Sequence, residues 1–143
     1  MKVGIVGYGV VGKTRFHSIV KNTPYKVTAI SENNLIARKD IPKNIDVFED
    51  YQSLIEQSNV DIVFISLPNK FAANATVLSL KKGLHVFCEK PPARTLAELG
   101  EVLLVSQQHP GLKLMYGFNH RFHHSVEEAK LIIEENSLGR LIN

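Results

Sequence analysis

The chain alternates short apolar runs with longer mixed segments from its beginning onward. The runs KVGIV, KVTAIS, DIVFIS, LHVFC and LKLMYGF are mostly apolar, and turn-forming residues follow closely after them. Such runs predict strands buried on both faces, and residues 45–48 predict a further short strand. Strands of this kind separated by helices indicate βαβ units. We therefore predict an α/β fold: an open, doubly wound parallel sheet in a three-layer αβα (Rossmann) arrangement.

The segments between the predicted strands carry helix signals. After the first glycine-rich turn, Phe16, Ile19 and Val20 recur at helical spacing and predict one shared buried face. Asp50 is a suitable N-cap for a helix over Tyr51–Gln57. Helices are therefore predicted directly after the first strand and after residues 45–48.

The remaining helices are predicted from their ends. A helix over residues 71–82 is followed by Gly83, the residue type that most often terminates a helix. Thr95 opens a capping box for a helix that runs to about residue 108, and Ser125 opens another for the last helix.

Composition and charge restrict the classes of partner. The 143 residues are 44% hydrophobic and 22% charged, as in one ordinary globular domain, and the net charge is only +3. No dense Lys/Arg run suggests nucleic acid, and no apolar stretch approaches the roughly 20 residues of a membrane helix. The single cysteine, Cys88, agrees with a reducing compartment, and Met1 begins no signal-peptide pattern. We expect a cytoplasmic protein without a membrane or nucleic-acid partner.

The stretch GYGVVGKT, residues 7–14, fits two phosphate-binding patterns. Gly7, Gly9 and Gly12 form the G-x-G-x-x-G turn of a dinucleotide-binding unit. With Lys13 and Thr14, the same stretch is a Walker A loop for Mg-ATP or GTP. In both interpretations, backbone N–H groups at a helix N-terminus bind phosphate.

An acidic residue at the end of the second strand favours the dinucleotide. Glu32 lies 20 residues after Gly12 and directly follows KVTAIS, where a carboxylate binds the adenosine ribose. A P-loop enzyme needs an acidic residue at the end of another apolar strand to help hold Mg²⁺. DIVFIS has its Asp61 at the wrong end, and Glu89 after LHVFC could serve but is followed at once by Lys90 and a proline pair. The Walker pattern also leaves Gly9 unexplained. A Mg-ATP enzyme using residues 7–14 remains the alternative.

The stretch CEKPPA places a lysine at the edge of the sheet where ligands bind in α/β folds. Pro91 keeps Lys90 out of helical geometry and stiffens the turn. Lys90 is therefore either a solvated surface lysine or a group that exchanges a proton with a substrate hydroxyl.

Four stretches in this order, GYGVVG, SLPN, CEKPPA and GFNHRF, resemble the Gfo/Idh/MocA family. The resemblance implies a two-domain NAD(P)-dependent oxidoreductase acting on a sugar, polyol or sugar nucleotide. It covers the whole chain and implies a cofactor domain over residues 1–120, followed by the start of a truncated C-terminal domain over residues 121–143. That second domain would supply a further catalytic residue and the contacts of a homo-oligomer. The fragment alone is then expected to bind cofactor but turn over poorly.

The resemblance also implies roles for individual residues. Lys90 would be the catalytic lysine and would contact the substrate. Arg121 would also contact the substrate. Glu32 would favour NAD over NADP, with NADP as the alternative. The cofactor-binding residues would be Gly7, Tyr8, Gly9, Val10, Val11, Gly12, Glu32, Ser66, Leu67, Pro68, Asn69, Glu89 and Asn119. A non-catalytic NAD-binding sensor with the same loop is a further alternative.

Two other features are interpreted as structural. His120, His123 and His124 lack the cysteine partners or separated histidine pair of a zinc site, so we predict no metal. No activating base accompanies Cys88, which we interpret as a small buried strand residue rather than a nucleophile.

Overall fold

Six strands form one parallel sheet in the computed structural model of the chain, which describes residues 1–140 and 142. They are β1 Lys2–Val6, β2 Lys26–Ser31, β3 Asp46–Phe48, β4 Ile62–Ile65, β5 His85–Cys88 and β6 Leu114–Tyr116. All five pairings are parallel, and the order is β3-β2-β1-β4-β5-β6. This is the strand order of doubly wound dinucleotide-binding sheets. The predicted fold class is confirmed.

Helices connect the strands at the positions that the sequence predicted, with two short additions. They are α1 Val10–Asn22, α2 Leu35–Arg38, α3 Tyr51–Gln57, α4 Asn69–Lys81, α5 Leu96–Gln108 and α6 His124–Glu134, with a 3₁₀ turn over Asn119–Phe122. The Asp50 carboxylate accepts from the N–H of Ser53 at 2.7 Å, and the Thr95 hydroxyl accepts from the N–H of Glu98 at 3.2 Å. Both predicted caps are confirmed. None of the helices in the described part of the chain is long and apolar enough to cross a membrane.

The alternating side chains of the strands divide the core into two halves. Val3 and Ile5 of β1 are fully buried against Ile19 of α1, on one face of the sheet. Val6 lies on the opposite face with Leu54 of α3, in the half that also holds α4 and α5. Strands that bury both faces need helices on both sides, which gives the three predicted layers.

Two local predictions were wrong. Val20 is 58% exposed and does not share the buried face of Phe16 and Ile19, which pack in the hydrophobic cluster on this side of the sheet. Ser125 does not cap α6: the helix already begins at His124, so Ser125 lies in its first turn, and the N-cap His123 makes no side-chain capping bond. Every residue from 118 to 140 is exposed, so the apolar side chains of α6 are not buried against the rest of the described residues.

Candidate functional site

Four predicted site segments lie at the carboxyl-terminal edge of the sheet. The glycine loop, residues 7–12, follows β1, and Glu32 follows β2. Residues 66–69 follow β4, while Glu89 and Lys90 follow β5. Because the strand order reverses between β1 and β4, a crevice opens between their ends. The sheet order thus assembles the site from residues far apart in sequence.

The three glycines of the loop meet different requirements. Gly7 has φ +88°, and a Cβ there would lie 2.7 Å from the carbonyl oxygen of Ser66. A Cβ on Gly12 would overlap the carbonyl oxygen of Gly7, so glycine lets α1 pack closely against the end of β1. A Cβ on Gly9 would meet no atom of the described residues within 4 Å. Gly9 therefore leaves open space through which a ligand reaches the backbone.

The first turn of α1 leaves backbone N–H groups for an anion. Gly9 is its N-cap and supplies no side-chain bond, and the first turn contains no acidic residue. The first N–H groups of a helix have no partner within the helix, and the helix dipole adds partial positive charge there. Val10 and Val11 are 84% and 46% exposed and flank this end. The arrangement fits the diphosphate of a dinucleotide.

Glu32 is bonded directly to the glycine loop. Its carboxylate accepts from the N–H of Tyr8 at 2.8 Å and from the N–H of Asn34 at 2.9 Å. The Tyr8 side chain itself is buried and packs edge-on against Phe16, with the ring centroids 5.9 Å apart. Tyr8 therefore reaches the site through its backbone N–H. The phenol packs in the core.

A cleft of about 490 Å³ lies beside Glu32, between the ends of β2 and β4. We call it the β2–β4 cleft. Its polar end is formed by the glycine loop and Glu32, and its apolar wall by Tyr51, Leu67, Pro68 and Phe71. A ribose beside the carboxylate and an adenine ring against the apolar wall match this lining. Ser66 also lines the cleft, whereas Asn69 is exposed at the start of α4 and does not.

Charged residues around the cleft include one that the sequence analysis missed. Arg38 donates from Nε to the backbone carbonyl of Glu32 at 2.5 Å, and its Nη1 lies 3.6 Å from the Glu49 carboxylate. Glu49 and Asp50 line the cleft with Glu32. Three carboxylates beside a ribose disfavour a 2′-phosphate, and Arg38 offsets part of that charge. The sequence feature that could have pointed to Arg38 was a basic residue six positions after Glu32.

The two side chains that a Walker A loop needs point elsewhere. Lys13 pairs with Asp40 and lies 5.8 Å from the centroid of the Tyr8 ring. The Thr14 hydroxyl donates to the carbonyl oxygen of Val10 at 3.0 Å, within its own helix. In a P-loop, this lysine binds the β- and γ-phosphates and this hydroxyl binds Mg²⁺. The geometry favours the dinucleotide interpretation.

The β5 edge combines an exposed lysine with a partly buried ion pair. Lys90 is exposed and has no ion-pair partner within residues 1–140 and 142. Glu89 accepts from Nε of Arg15 at 2.6 Å, and their side chains are only 13% and 22% exposed. The sequence analysis did not find Arg15, which lies 74 residues from Glu89.

The 3₁₀ turn after β6 carries the last two predicted residues. Asn119 and Arg121 are exposed, and the Arg121 guanidinium lies 5.7 Å from the centroid of the Phe122 ring. Neither side chain is hydrogen-bonded to Lys90 within the described residues. In that same part of the chain, no group of three or more His, Cys, Asp or Glu side chains is placed to hold a metal ion.

This geometry is that of a known family. The family model described as "Oxidoreductase family, NAD-binding Rossmann fold", GFO_IDH_MocA, matches residues 1–118. The chain belongs to the Gfo/Idh/MocA family. The match spans the glycine loop, Glu32 and Lys90. The predicted family and the predicted NAD-binding Rossmann domain are confirmed.

Several Gfo/Idh/MocA relatives resemble the chain over almost its whole length. An uncharacterized oxidoreductase of Bacillus subtilis, YrbE, is 30% identical over 139 residues, which are 95% of this chain and 40% of YrbE. The inositol 2-dehydrogenase of Salmonella typhimurium is 27% identical, over 98% of this chain and 43% of that enzyme. The crystal structure of scyllo-inositol dehydrogenase from Lactobacillus casei, with bound NAD(H) and scyllo-inositol, superposes with a TM-score of 0.87 at 30% identity. That comparison covers 97% of this chain and 42% of the crystallised one, so the chain spans about two-fifths of the length of these relatives.

Cys88 is unsuited to chemistry in this Gfo/Idh/MocA domain. Its side chain is fully buried, and this burial raises the pKa of Cys88 to about 11. At pH 8 a thiol with that pKa is about 0.1% ionised, against roughly a quarter for one with the ordinary pKa of about 8.5.

We expect a disulfide reagent such as dithionitrobenzoate to label native Cys88 at least about 100-fold more slowly than Cys88 in urea at pH 8. The native rate should rise steadily from pH 8 to pH 10, because the ionised fraction rises tenfold per pH unit below the pKa. Rapid labelling of the native protein at pH 7, with no further increase above it, would contradict this account.

Proposed function

We propose that the protein is an NAD(H)-dependent oxidoreductase that transfers a hydride between nicotinamide and a hydroxyl or keto carbon of a sugar, polyol or sugar nucleotide. The observation that carries the proposal is the hydrogen bond from Tyr8 N–H to the Glu32 carboxylate. It joins the carboxylate that would bind the ribose to the loop that would bind the diphosphate, on the same sheet edge that presents Lys90. The inositol dehydrogenases among the relatives support a polyhydroxylated substrate.

The glycine loop and the first turn of α1 would hold the diphosphate of the dinucleotide through backbone N–H groups. Glu32 would accept hydrogen bonds from the adenosine ribose, with residues 66–68 along the apolar wall of the β2–β4 cleft. Asn69, Glu89 and Asn119 would lie toward the nicotinamide end. The carboxylates around the cleft favour NAD over NADP.

Lys90 would act as the acid–base group at the substrate. When bound, the nicotinamide ring supplies the acceptor or donor of the hydride. The Lys90 amine takes the proton of the substrate hydroxyl during oxidation, and its ammonium returns a proton to the carbonyl oxygen during reduction. Arg121 would donate hydrogen bonds to the substrate from the turn after β6. The side chains of Lys90 and Arg121 could both donate hydrogen bonds to a small molecule rich in hydroxyl groups.

We further propose a domain boundary near residue 120. Residues 1–120 would form the cofactor domain, and residues 121–143 would begin a second domain that supplies the remaining catalytic residue and a homo-oligomer interface. The exposure of every residue from 118 to 140 supports this boundary. A cytoplasmic location is supported by the lone, buried and unpaired Cys88.

Calorimetric titration with NADH, NADPH and Mg-ATP under one salt condition tests the cofactor assignment. We expect NADH to bind most tightly. Glu32→Ala should weaken NADH about tenfold or more, since it removes a charged hydrogen-bond acceptor worth at least about 1.5 kcal/mol. The same change should weaken NADPH much less, because it also removes a charge that repels the 2′-phosphate.

Glu134→Ala is the matched control, because this carboxylate lies on α6 and, among the described residues, pairs with Lys130 alone. It should leave both affinities unchanged. If Glu32→Ala weakens NADH and NADPH equally, Glu32 supports the loop and does not select the cofactor. Tightest binding of Mg-ATP would overturn the proposed function.

A further inference from the structure

The carboxylate directly before Lys90 is held in one place. Glu89 accepts from Nε of Arg15 at 2.6 Å, and Nη2 of the same guanidinium also contacts it. The guanidinium lies 4.9 Å from the centroid of the Phe87 ring, which flanks it on β5. With both side chains largely buried, this pair is screened less by solvent than the surface pairs of the chain. The ion pair with Arg15 therefore holds the Glu89 carboxylate in one position.

The backbone after β6 packs against the Glu89 carboxylate, and backbone hydrogen bonds tie this turn to the neighbouring strands. A Cβ on Gly117 would lie 2.8 Å from Oε2 of Glu89, so the carboxylate packs directly against the chain after β6. The N–H of Glu89 donates to the carbonyl of Ile65 at 2.9 Å, and the N–H of Gly117 donates to the carbonyl of Cys88 at 2.9 Å. The turn that carries Lys90 is thus anchored to β4, β6 and α1.

Lys90 would have a different partner if Glu89 were free. Neighbouring Cα atoms are 3.8 Å apart, so long side chains at adjacent positions are within reach of each other. An unpaired carboxylate beside an ammonium stabilises the charged form of the amine and holds it. Arg15 brings both Nε and Nη2 to Oε1 of Glu89, and a guanidinium presents its donors in a rigid planar fork, so Arg15 competes effectively for the carboxylate.

We propose that Arg15 is a positioning residue: by holding Glu89 against α1, it leaves the amine of Lys90 unpaired and available to substrate. This inference rests on the proposed role of Lys90. It also couples the two halves of the site, because α1 begins at the glycine loop and carries Arg15 near its middle. The helix whose N-terminus would bind the diphosphate therefore also holds the turn that carries Lys90 in position.

The test measures the reactivity of the Lys90 amine, which needs neither substrate nor cofactor. The 143-residue chain is acetylated with acetic anhydride at pH 8, and the rate at Lys90 is compared with that at exposed Lys113 by peptide mass spectrometry. Arg15→Met and Arg15→Gln should each slow Lys90 about fivefold relative to Lys113, the factor expected for a unit charge about 4 Å away in water. Arg94→Met, which breaks the exposed pair with Glu98, is the matched control and should leave Lys90 unchanged.

Two further measurements separate positioning from simple loosening. Adding Glu89→Gln to Arg15→Met should restore the rate at Lys90, because the competing carboxylate is gone. The slowing in Arg15→Met should also shrink in about 1 M salt, where the Debye length is about 3 Å. Unchanged or faster acetylation of Lys90 in both Arg15 variants overturns the inference, because the released Glu89 carboxylate would then not be holding the amine.

The outcome can be told apart from failure of the proposed function. If the Arg15 variants show slower Lys90 acetylation but the native chain does not bind NADH, the proposed function is contradicted. The effect of the Arg15–Glu89 pair on the Lys90 amine is then still supported. If the native chain binds NADH but the Arg15 variants acetylate Lys90 at the native rate, the inference about Arg15 is contradicted and the proposed function is still supported.

Discussion

Replacing Gly12 with alanine is expected to lower the affinity for NADH about 100-fold or more. The new Cβ would overlap the carbonyl oxygen of Gly7 and lie 3.0 Å from its carbonyl carbon, and neither atom can move without displacing the loop. The first turn of α1 must then shift away from β1, together with the N–H groups proposed to bind the diphosphate. Loss of two charge-assisted hydrogen bonds at about 1.5 kcal/mol each accounts for a factor of that size. The free energy of unfolding should fall by about 1–3 kcal/mol, as for other overpacked sites.

Two other glycines provide the comparison. Gly9→Ala should preserve the thermal unfolding midpoint, because its φ of −69° and ψ of −164° suit alanine and its Cβ meets open space. It should still weaken NADH about tenfold, since the methyl group occupies the approach to the backbone. Gly100→Ala lies inside α5, where its Cβ has no close neighbour, and should stabilise the protein by about 0.5–1 kcal/mol without changing NADH affinity. Native NADH affinity in Gly12→Ala, measured by NADH fluorescence, would show that the loop does not bind the diphosphate.

The sheet could be predicted almost completely from the sequence. The five apolar runs are strands, and the short run at residues 45–48 contributes β3. A strand buried on both faces leaves a continuous local signal, which does not depend on its partners. The strand ends then fix the edge of the sheet, so the location of Glu32 and Lys90 at its carboxyl-terminal edge could be predicted, while their roles stay predictions.

Features that depend on distant contacts could not be predicted. Arg15 reads as an ordinary helix residue in the sequence, and only the neighbouring positions of α1 and β5 bring it to Glu89. The same holds for Val20, whose exposure depends on how α1 is rotated on the sheet. The four residues of α2 are too few for a periodic pattern, although Asn34 accepts from the N–H of Ile36 at 2.8 Å and caps it.

The choice between the two interpretations of GYGVVGKT also depended on the three-dimensional structure. Both patterns require a glycine loop between a strand and a helix, so spacing alone could only favour one of them through Glu32. The directions of two side chains decide the matter, since Lys13 turns to Asp40 and Thr14 bonds its own helix. Rotamers of this kind carry no signature in a single sequence.

Lys90→Met is expected to lower kcat about 100- to 10,000-fold in the protein that joins residues 1–143 to the proposed second domain. This is the usual contribution of a positioned acid–base group. Methionine preserves most of the side-chain length and removes the exchangeable proton, and Lys90 has no ion pair to lose among the described residues. The affinity of residues 1–143 for NADH should therefore stay within about twofold of the native value. Turnover is followed by NADH absorbance with inositols and simple sugars as substrates.

The control is Lys113→Met, because Lys113 is an exposed lysine directly before β6, at the opposite, amino-terminal edge of the sheet, and its side chain forms no ion pair with the described residues. It should change neither kcat nor NADH affinity. A loss of kcat in Lys90→Met with intact NADH binding separates proton transfer from cofactor binding, and it would exclude a sensor that needs only the dinucleotide. A loss of less than about tenfold would mean that another group carries the proton. Lys90 would then be a surface lysine at the edge of the site, and the acid–base group would have to come from the second domain.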